Sequence, residues 1–131
     1  MYFCDMLQNI LFVFVGGGLG SVLRYLLSRQ LNPLFENFYL GTFAVNIIGS
    51  LLIGLFIGME LKSLLSKPSL LLLVAGFCGG FTTFSAFALE NYILLKEGQM
   101  TSVFLNIGLS VVLGILCVFL GFIFAKQLFN S

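Results

Sequence analysis

Four long apolar runs separated by short polar connections constrain the fold of this 131-residue chain more than any other feature. The runs cover residues 7–27, 38–59, 70–95 and 101–124. A helix needs roughly 20 mostly apolar residues to cross the hydrocarbon core of a bilayer, so each run is long enough to do so. The pattern predicts an all-α integral membrane protein, with residues 1–131 forming a single domain of four transmembrane helices.

The connections combine helix breakers with charge, at Asn32-Pro33, in residues 62–68 and in residues 96–99. Only 8% of the chain is charged and 60% is hydrophobic, whereas a soluble domain carries roughly 25% charged residues. We therefore expect a multi-pass protein of the cell membrane, surrounded by lipid. Asp5 precedes the first run, with no basic residue and no cleavage pattern, so a retained helix is favoured over a signal peptide and the mature chain is expected to begin at Met1.

Composition also argues against several classes of function. The net charge of +1 gives no basic patch for nucleic acid. The chain has no histidine, no CxxC pair and no paired mid-chain carboxylates, so neither an enzyme nor a zinc site is expected. Three cysteines lie in or beside apolar stretches, where they fit the role of small apolar residues: Cys4, Cys78 and Cys117.

Basic residues give no preferred orientation in the membrane, because the two sides of the predicted topology receive equal numbers. One side receives Lys62, Lys67 and Lys126, and the other receives Arg24, Arg29 and Lys96. The tie favours insertion in both directions and an antiparallel homodimer. Alternatively, the chain inserts in one direction, and a signal other than its basic residues sets that orientation.

Polar and small residues recur every four positions in two of the runs, so each series occupies one helical face. The series are Asn46, Ser50, Gly54 and Gly58 in the second run, and Asn106, Ser110 and Gly114 in the fourth. Such a stripe fits close helix packing or the lining of an aqueous path, and the spacing leaves both open. We assign four residues of the first run to packing: Gly16, Gly17, Gly20 and Ser21.

The third run contains a glycine pair, Gly79-Gly80, and a threonine pair, Thr82-Thr83. Two adjacent glycines cost a helix roughly 2 kcal/mol relative to alanine, and β-branched threonines add to that. We therefore expect the third helix to be broken mid-membrane, where freed backbone carbonyls could hold a small hard cation at a dimer axis. A simple kink is the alternative.

Phe84 and Phe87, after the predicted break, share a helical face, with Ser85 beside them and Asn91 one turn further on. Aromatic rings are positive at their edges and can favour a small anion. The Asn46 amide and nearby hydroxyls could replace part of an anion's hydration shell. By spacing alone the two rings also fit a packed core or a lipid-facing surface, and no particular ion is indicated.

Three segments together resemble the signature blocks of the CrcB/Fluc fluoride channel family: residues 17–25, residues 41–49 and residues 76–87. They occur in the family's order, and the resemblance extends over essentially the whole chain. It implies a channel that passively exports fluoride from a microbial cell and relieves fluoride toxicity. It also implies an antiparallel, dual-topology homodimer with two pathways.

By the same resemblance, Asn46 donates to fluoride, Phe84 and Phe87 are pore phenylalanines, and Ser110 belongs to a polar track. The remaining pathway candidates are Thr83, Ser85 and Arg24. Arg24 fits equally a helix-end arginine that reaches the membrane interface. The backbone carbonyls of Gly79 and Thr82 from each subunit are implied to hold one structural Na⁺. The chain departs from the family pattern at Ala86, where threonine is usual, and at Ser21, where alanine is common.

Two other functions are also consistent with the length and hydrophobicity of the chain. A proton-coupled multidrug exporter of the small four-helix kind needs a titratable carboxylate in its first helix, but residues 6–35 contain no acidic residue. Glu60, Glu90 and Glu97 fall at or toward the ends of predicted spans. A purely structural subunit would tolerate alanine in both polar stripes.

Overall fold

The computed structural model describes residues 2–129, so Met1, the expected start of the mature chain, lies outside the described residues. The described part is helical throughout its regular structure. Its elements are α1 (Tyr2–Leu31), α2 (Leu40–Leu61), α3 (Lys67–Leu70), a π-helical stretch (Leu71–Cys78), α4 (Gly79–Phe81), α5 (Phe84–Lys96) and α6 (Met100–Leu128).

Four segments are long and apolar enough to cross a membrane: Cys4–Leu34, Leu40–Leu61, Lys67–Lys96 and Met100–Leu128. We call Lys67–Lys96 the third span. The predicted all-α fold with four membrane-length helices is confirmed. The first, third and fourth segments extend beyond their predicted runs at both ends, because helical structure continues into the polar flanks, whereas the second begins two residues later than predicted and ends two residues later.

Asn32 organises the first connection. Pro33 lies in a single 3₁₀ turn, Asn32–Leu34, directly after α1. The Asn32 Oδ1 atom accepts hydrogen bonds from the backbone N–H groups of Gly41 at 2.7 Å and Thr42 at 3.2 Å. One side chain thus binds two of the amides that the first turn of α2 leaves without helical partners.

Glycines let α1 lie directly against the third span. A Cβ atom at Gly16 would overlap the Leu72 carbonyl oxygen, and one at Gly20 would overlap the Phe77 carbonyl oxygen. The packing role predicted for Gly16 and Gly20 is therefore confirmed. A Cβ at Gly54 on α2 would likewise overlap the Val118 carbonyl oxygen of α6, so these two helices also meet backbone to backbone.

Two extended residues interrupt the third span. Thr82 has ψ 158°, Thr83 has φ −150° and ψ 125°, and α5 begins at Phe84. The glycine pair itself is helical and belongs to α4. Gly80 is required for packing, because a Cβ there would overlap the Gly17 carbonyl oxygen.

The interruption also changes the packing partner of the third span. The π-helical stretch and α4 pack against α1, whereas α5 packs against α6, which in turn makes its most extensive contact with α2. The chain crosses from one side of the bundle to the other at Thr82 and Thr83. Residues of α2, α5 and α6 consequently meet at the interruption.

Candidate ion pathway

A cavity of about 310 Å³ lies where α2, α5 and α6 meet the two extended threonines. Its lining combines amide and hydroxyl groups with two aromatic rings: Asn46, Ser50, Ile53, Thr82, Thr83, Phe84, Phe87, Ser110 and Val111. Five of the seven predicted pathway residues therefore share one cavity, although they come from three segments of the sequence. We call this space the α2–α5–α6 cavity.

Asn46 pairs with the backbone of Thr83. Its Oδ1 atom accepts from the Thr83 backbone N–H at 2.7 Å, and its Nδ2 atom donates to the Thr83 carbonyl at 3.1 Å. Unpaired peptide groups are costly away from water, so the amide compensates for the interruption of the helix. The Nδ2 atom carries a second hydrogen that this pairing does not use.

The threonine hydroxyls act on the helix ends beside the interruption. The Thr83 hydroxyl oxygen accepts a hydrogen bond from the backbone N–H of Ala86 at 3.2 Å, so Thr83 is the N-cap residue of α5. The Thr82 hydroxyl donates to the Cys78 carbonyl at 2.8 Å. Ser85 lies 3.3 Å from the Thr83 hydroxyl, oxygen to oxygen, but it does not line the α2–α5–α6 cavity.

The two phenylalanine rings form the aromatic side of the cavity. Their centroids are 5.9 Å apart and their planes are inclined at 43°. Phe84 is 79% exposed in the single chain, whereas Phe87 is half-buried. Phe14 on α1 is 75% exposed as well, so it is the polar surroundings of Phe84 and not its exposure that set this ring apart.

Ser110 contributes a hydroxyl without a partner. Its Oγ atom is buried and accepts or donates no hydrogen bond within the described part of the chain. Buried polar groups in proteins are nearly always paired, so this exception calls for a ligand or water. The free hydroxyl borders the same cavity as the Asn46 amide, which makes this cavity a candidate binding site for an anion.

Arg24 lies outside the α2–α5–α6 cavity. Its Nε atom donates to the Gly80 carbonyl at 3.0 Å, and the Ser21 hydroxyl donates to the same oxygen at 3.4 Å. In an uninterrupted helix the Phe84 N–H would bind that carbonyl. Arg24 also lines a second pocket of about 350 Å³ together with Thr83 and Glu90, so Thr83 borders both spaces.

The interruption frees the Gly79 carbonyl, one of the two backbone oxygens that the family resemblance assigns to sodium. An uninterrupted helix would pair the Thr83 N–H with the Gly79 carbonyl, but this N–H donates to Asn46 instead. Carbonyl oxygens are suitable ligands for a hard cation. Gly79 is exposed, which leaves room for oxygens from a second copy, so the residues present fit such an ion.

Glu90 is a buried carboxylate that the sequence analysis placed only toward the end of a span. It is 8% exposed, and its Oε1 atom accepts from the Thr42 hydroxyl and from Asn32 Nδ2 at 3.4 Å. The Oε2 atom is buried without a partner among the described residues. Glu90 lies three residues after Phe87 and so on the same helical face, and this spacing could have indicated that the carboxylate faces the interior.

Comparison with known proteins identifies the family. Residues 11–122 match the family described as CrcB-like protein, Camphor Resistance (CrcB). A relative named fluoride-specific ion channel FluC, from Flavobacterium psychrophilum, is 46% identical over 93% of this chain and 100% of its own length. Proteins of the same name from Phocaeicola vulgatus and Pyrococcus furiosus are 49% and 42% identical, over 88% and 92% of this chain and 96% and 98% of their own lengths.

These relatives are named as ion channels and not as enzymes. With four helices long and apolar enough to cross a bilayer, the chain is a multi-pass protein of the cell membrane. The matched region covers most of its length and includes all three sequence blocks noted above. The chain belongs to the CrcB-like family.

Proposed function

We propose that this chain is a subunit of a fluoride-selective ion channel, which passively exports fluoride from the cell and so relieves fluoride toxicity. The names of relatives 42–49% identical to it support the choice of ion. The observation that carries the proposal is the unpaired Ser110 hydroxyl, which borders one cavity with Asn46, Phe84 and Phe87.

The proposed pathway uses neutral groups. The Ser110 hydroxyl and the unused Nδ2 hydrogen of Asn46 are donors that replace part of the hydration shell of fluoride. The ring edges of Phe84 and Phe87 carry partial positive charge and exclude bulk water. Chloride is larger and its charge is more diffuse, so hydrogen bonds from the same few donors stabilise it less than they stabilise fluoride.

We propose that Thr82 and Thr83 lie mid-membrane and that two copies assemble as an antiparallel homodimer. The equal numbers of basic residues on the two sides support insertion in both directions. The exposure of Phe84 and Gly79, next to the polar interruption, supports a second copy that covers them. The dimer would carry one pathway for each orientation of the chain.

We further propose that Gly79 and Thr82 from each copy hold one structural Na⁺ at the dimer centre. Their carbonyl oxygens are of the right chemical type, and Asn46 removes the helical partner of the Gly79 carbonyl. When bound, the ion would supply a fixed positive charge that links the two interrupted helices. The chain contributes by keeping those carbonyls away from helical hydrogen bonds.

Ion efflux from liposomes tests the proposed function. Purified protein is reconstituted with potassium fluoride or potassium chloride inside, and efflux is started by valinomycin under an outward potassium gradient. We expect fast fluoride efflux with negligible chloride efflux, and no fluoride efflux from protein-free liposomes. A folded dimer that passes no fluoride would contradict the proposal and favour the exporter or the structural subunit.

A further inference from the structure

Two buried asparagines link α5 to α6 behind the α2–α5–α6 cavity. Asn91 on α5 is 6% exposed and Asn106 on α6 is 2% exposed. Asn106 Nδ2 donates to Asn91 Oδ1 at 3.2 Å, and Asn91 Nδ2 donates to the Phe87 carbonyl at 2.8 Å. The two amides thus form a hydrogen-bonded chain from α6 to the backbone of a residue that borders the cavity.

The bridge lies at matched positions on the two helices. Asn91 follows Phe87 by four residues, and Asn106 precedes Ser110 by four residues. Because α5 and α6 are joined by a short connection and run in opposite directions, pairing Asn91 with Asn106 brings Phe87 and Ser110 level with each other. Each lies four residues, about 6 Å along the helix axis, from the bridge.

Neither asparagine lines the α2–α5–α6 cavity, so the pair is not part of the lining itself. A buried amide in an apolar setting is costly unless it is hydrogen-bonded. Sliding α5 along α6, or rotating either helix, would break the bridge and leave polar groups unpaired. A single buried asparagine pair can fix the register of packed helices in this way.

We propose that Asn91 and Asn106 are positioning residues that hold the Phe87 ring level with the Ser110 hydroxyl and thereby set the preference of the pathway for fluoride over chloride. This inference rests on the proposed function, because it takes Phe87 and Ser110 as part of the ion path. Leucine is close to asparagine in size and can preserve packing at both positions without any hydrogen bond.

The test compares native protein with the double variant Asn91→Leu/Asn106→Leu in the liposome assay. We expect the fluoride-to-chloride flux ratio to fall about tenfold, the factor that corresponds to ~1.4 kcal/mol of lost discrimination. The half-saturating fluoride concentration should also change. The flux ratio and the half-saturating concentration do not depend on how much of the protein is active. A loss of folded protein alone would therefore change neither of them.

The matched control is Asn9→Leu, the same substitution at an exposed position on α1, which should leave both quantities unchanged. If the double variant does not fold, Asn106→Ala, which removes the donor to Asn91 but keeps the bond from Asn91 to the Phe87 carbonyl, is measured in its place. A folded variant with a native flux ratio and native half-saturation would overturn the proposal.

A second readout separates this proposal from the proposed function. A 4-fluorophenylalanine at position 87 reports the surroundings of the ring through its ¹⁹F spectrum, even in a protein that conducts nothing. We expect one narrow signal in the native background and a shifted or broadened signal in the double leucine variant. An unchanged spectrum would rule out positioning by the pair, whereas absent fluoride flux with a changed spectrum would contradict only the channel.

Discussion

The two halves of α2 carry one stripe of residues at four-residue spacing but meet α6 in different ways. In the second half, Gly54 and Gly58 bring the helices into close contact, with backbone against backbone at Gly54. In the first half, Asn46 and Ser50 border the α2–α5–α6 cavity. The four-residue repeat is the same in both halves, but the residue types differ, and Asn46 pairs with the backbone of Thr83 and not with α6.

The difference follows from what each residue type offers to its neighbour. Glycine removes the side chain, so the Val118 carbonyl fills the space beside Gly54. Asparagine and serine keep side chains that hold neighbouring helices apart and need polar partners. A stripe of small residues is therefore not itself a pathway. It borders a candidate pathway only where polar side chains lie beside an unpaired group such as the Ser110 hydroxyl.

In the packed half, the largest effect on stability is expected at Gly121 on α6. A Cβ there would overlap the Leu51 carbonyl oxygen, which is backbone and cannot turn aside. We expect Gly121→Ala to lower stability by about 1–3 kcal/mol, the usual cost of overpacking. The measurement is the thermal unfolding midpoint of the purified protein in detergent.

The matched control on the same helix is Gly108→Ala, where an added Cβ meets no atom of the described chain within 4 Å. This change should leave the midpoint unchanged or raise it, because alanine favours a helix by about 1 kcal/mol over glycine. If both substitutions lowered the unfolding midpoint equally, close α2–α6 packing would not be the reason for the loss of stability at Gly121.

Asn46→Leu acts on the polar half, where the largest effect on flux is expected. It leaves the Thr83 N–H and carbonyl without partners, at about 1–3 kcal/mol for each buried group. We expect fluoride efflux to fall by about a hundredfold, corresponding to ~2.8 kcal/mol. Asn9→Leu, the same substitution at an exposed position on α1, is the control and should leave the flux unchanged. Native efflux from the leucine variant would contradict the assignment of Asn46.

Replacing the cavity rings should have an intermediate effect. Phe84→Ile and Phe87→Ile preserve an apolar side chain but remove the positive ring edge. Each should reduce fluoride efflux about tenfold, since an aromatic contact is worth up to roughly 1.5 kcal/mol. Phe14→Ile, at a ring 75% exposed on α1, should leave efflux unchanged. Unaltered flux after both cavity substitutions would remove the two rings from the pathway.

Ser110→Ala is expected to give the smallest effect and to separate flux from stability. The hydroxyl has no partner within the described chain, so its removal should leave the unfolding midpoint unchanged or raise it. Fluoride efflux should fall about fivefold, corresponding to the ~1 kcal/mol of one hydrogen bond. The control is Ser102→Ala, two turns earlier on α6. A lowered midpoint with native efflux would assign Ser110 to packing.

Much of the architecture could be predicted from local pattern. Apolar run lengths predicted four membrane helices, and helical spacing placed Asn46 and Ser50 on one face. The packing role of Gly16 and Gly20 followed from residue type. These features depend on a few neighbouring residues and on the thickness of the bilayer, so they could be predicted without the tertiary structure.

Other features depend on residues far apart in the sequence. No local pattern indicated that Asn46 binds the backbone of Thr83, 37 positions away, or that the Arg24 Nε donates to the Gly80 carbonyl. The burial of Glu90 behind Thr42 and the pairing of Asn91 with Asn106 were also missed. The π-helical stretch Leu71–Cys78 had no recognised signal.

The sequence by itself determined that the chain is a four-helix membrane protein of its family, because hydrophobic length and short motifs are local properties. Only the tertiary structure decided which polar groups face one another. A hydrogen bond in an apolar interior requires two partners at about 3 Å, and the crossing of the third span at Thr82 and Thr83 sets those distances.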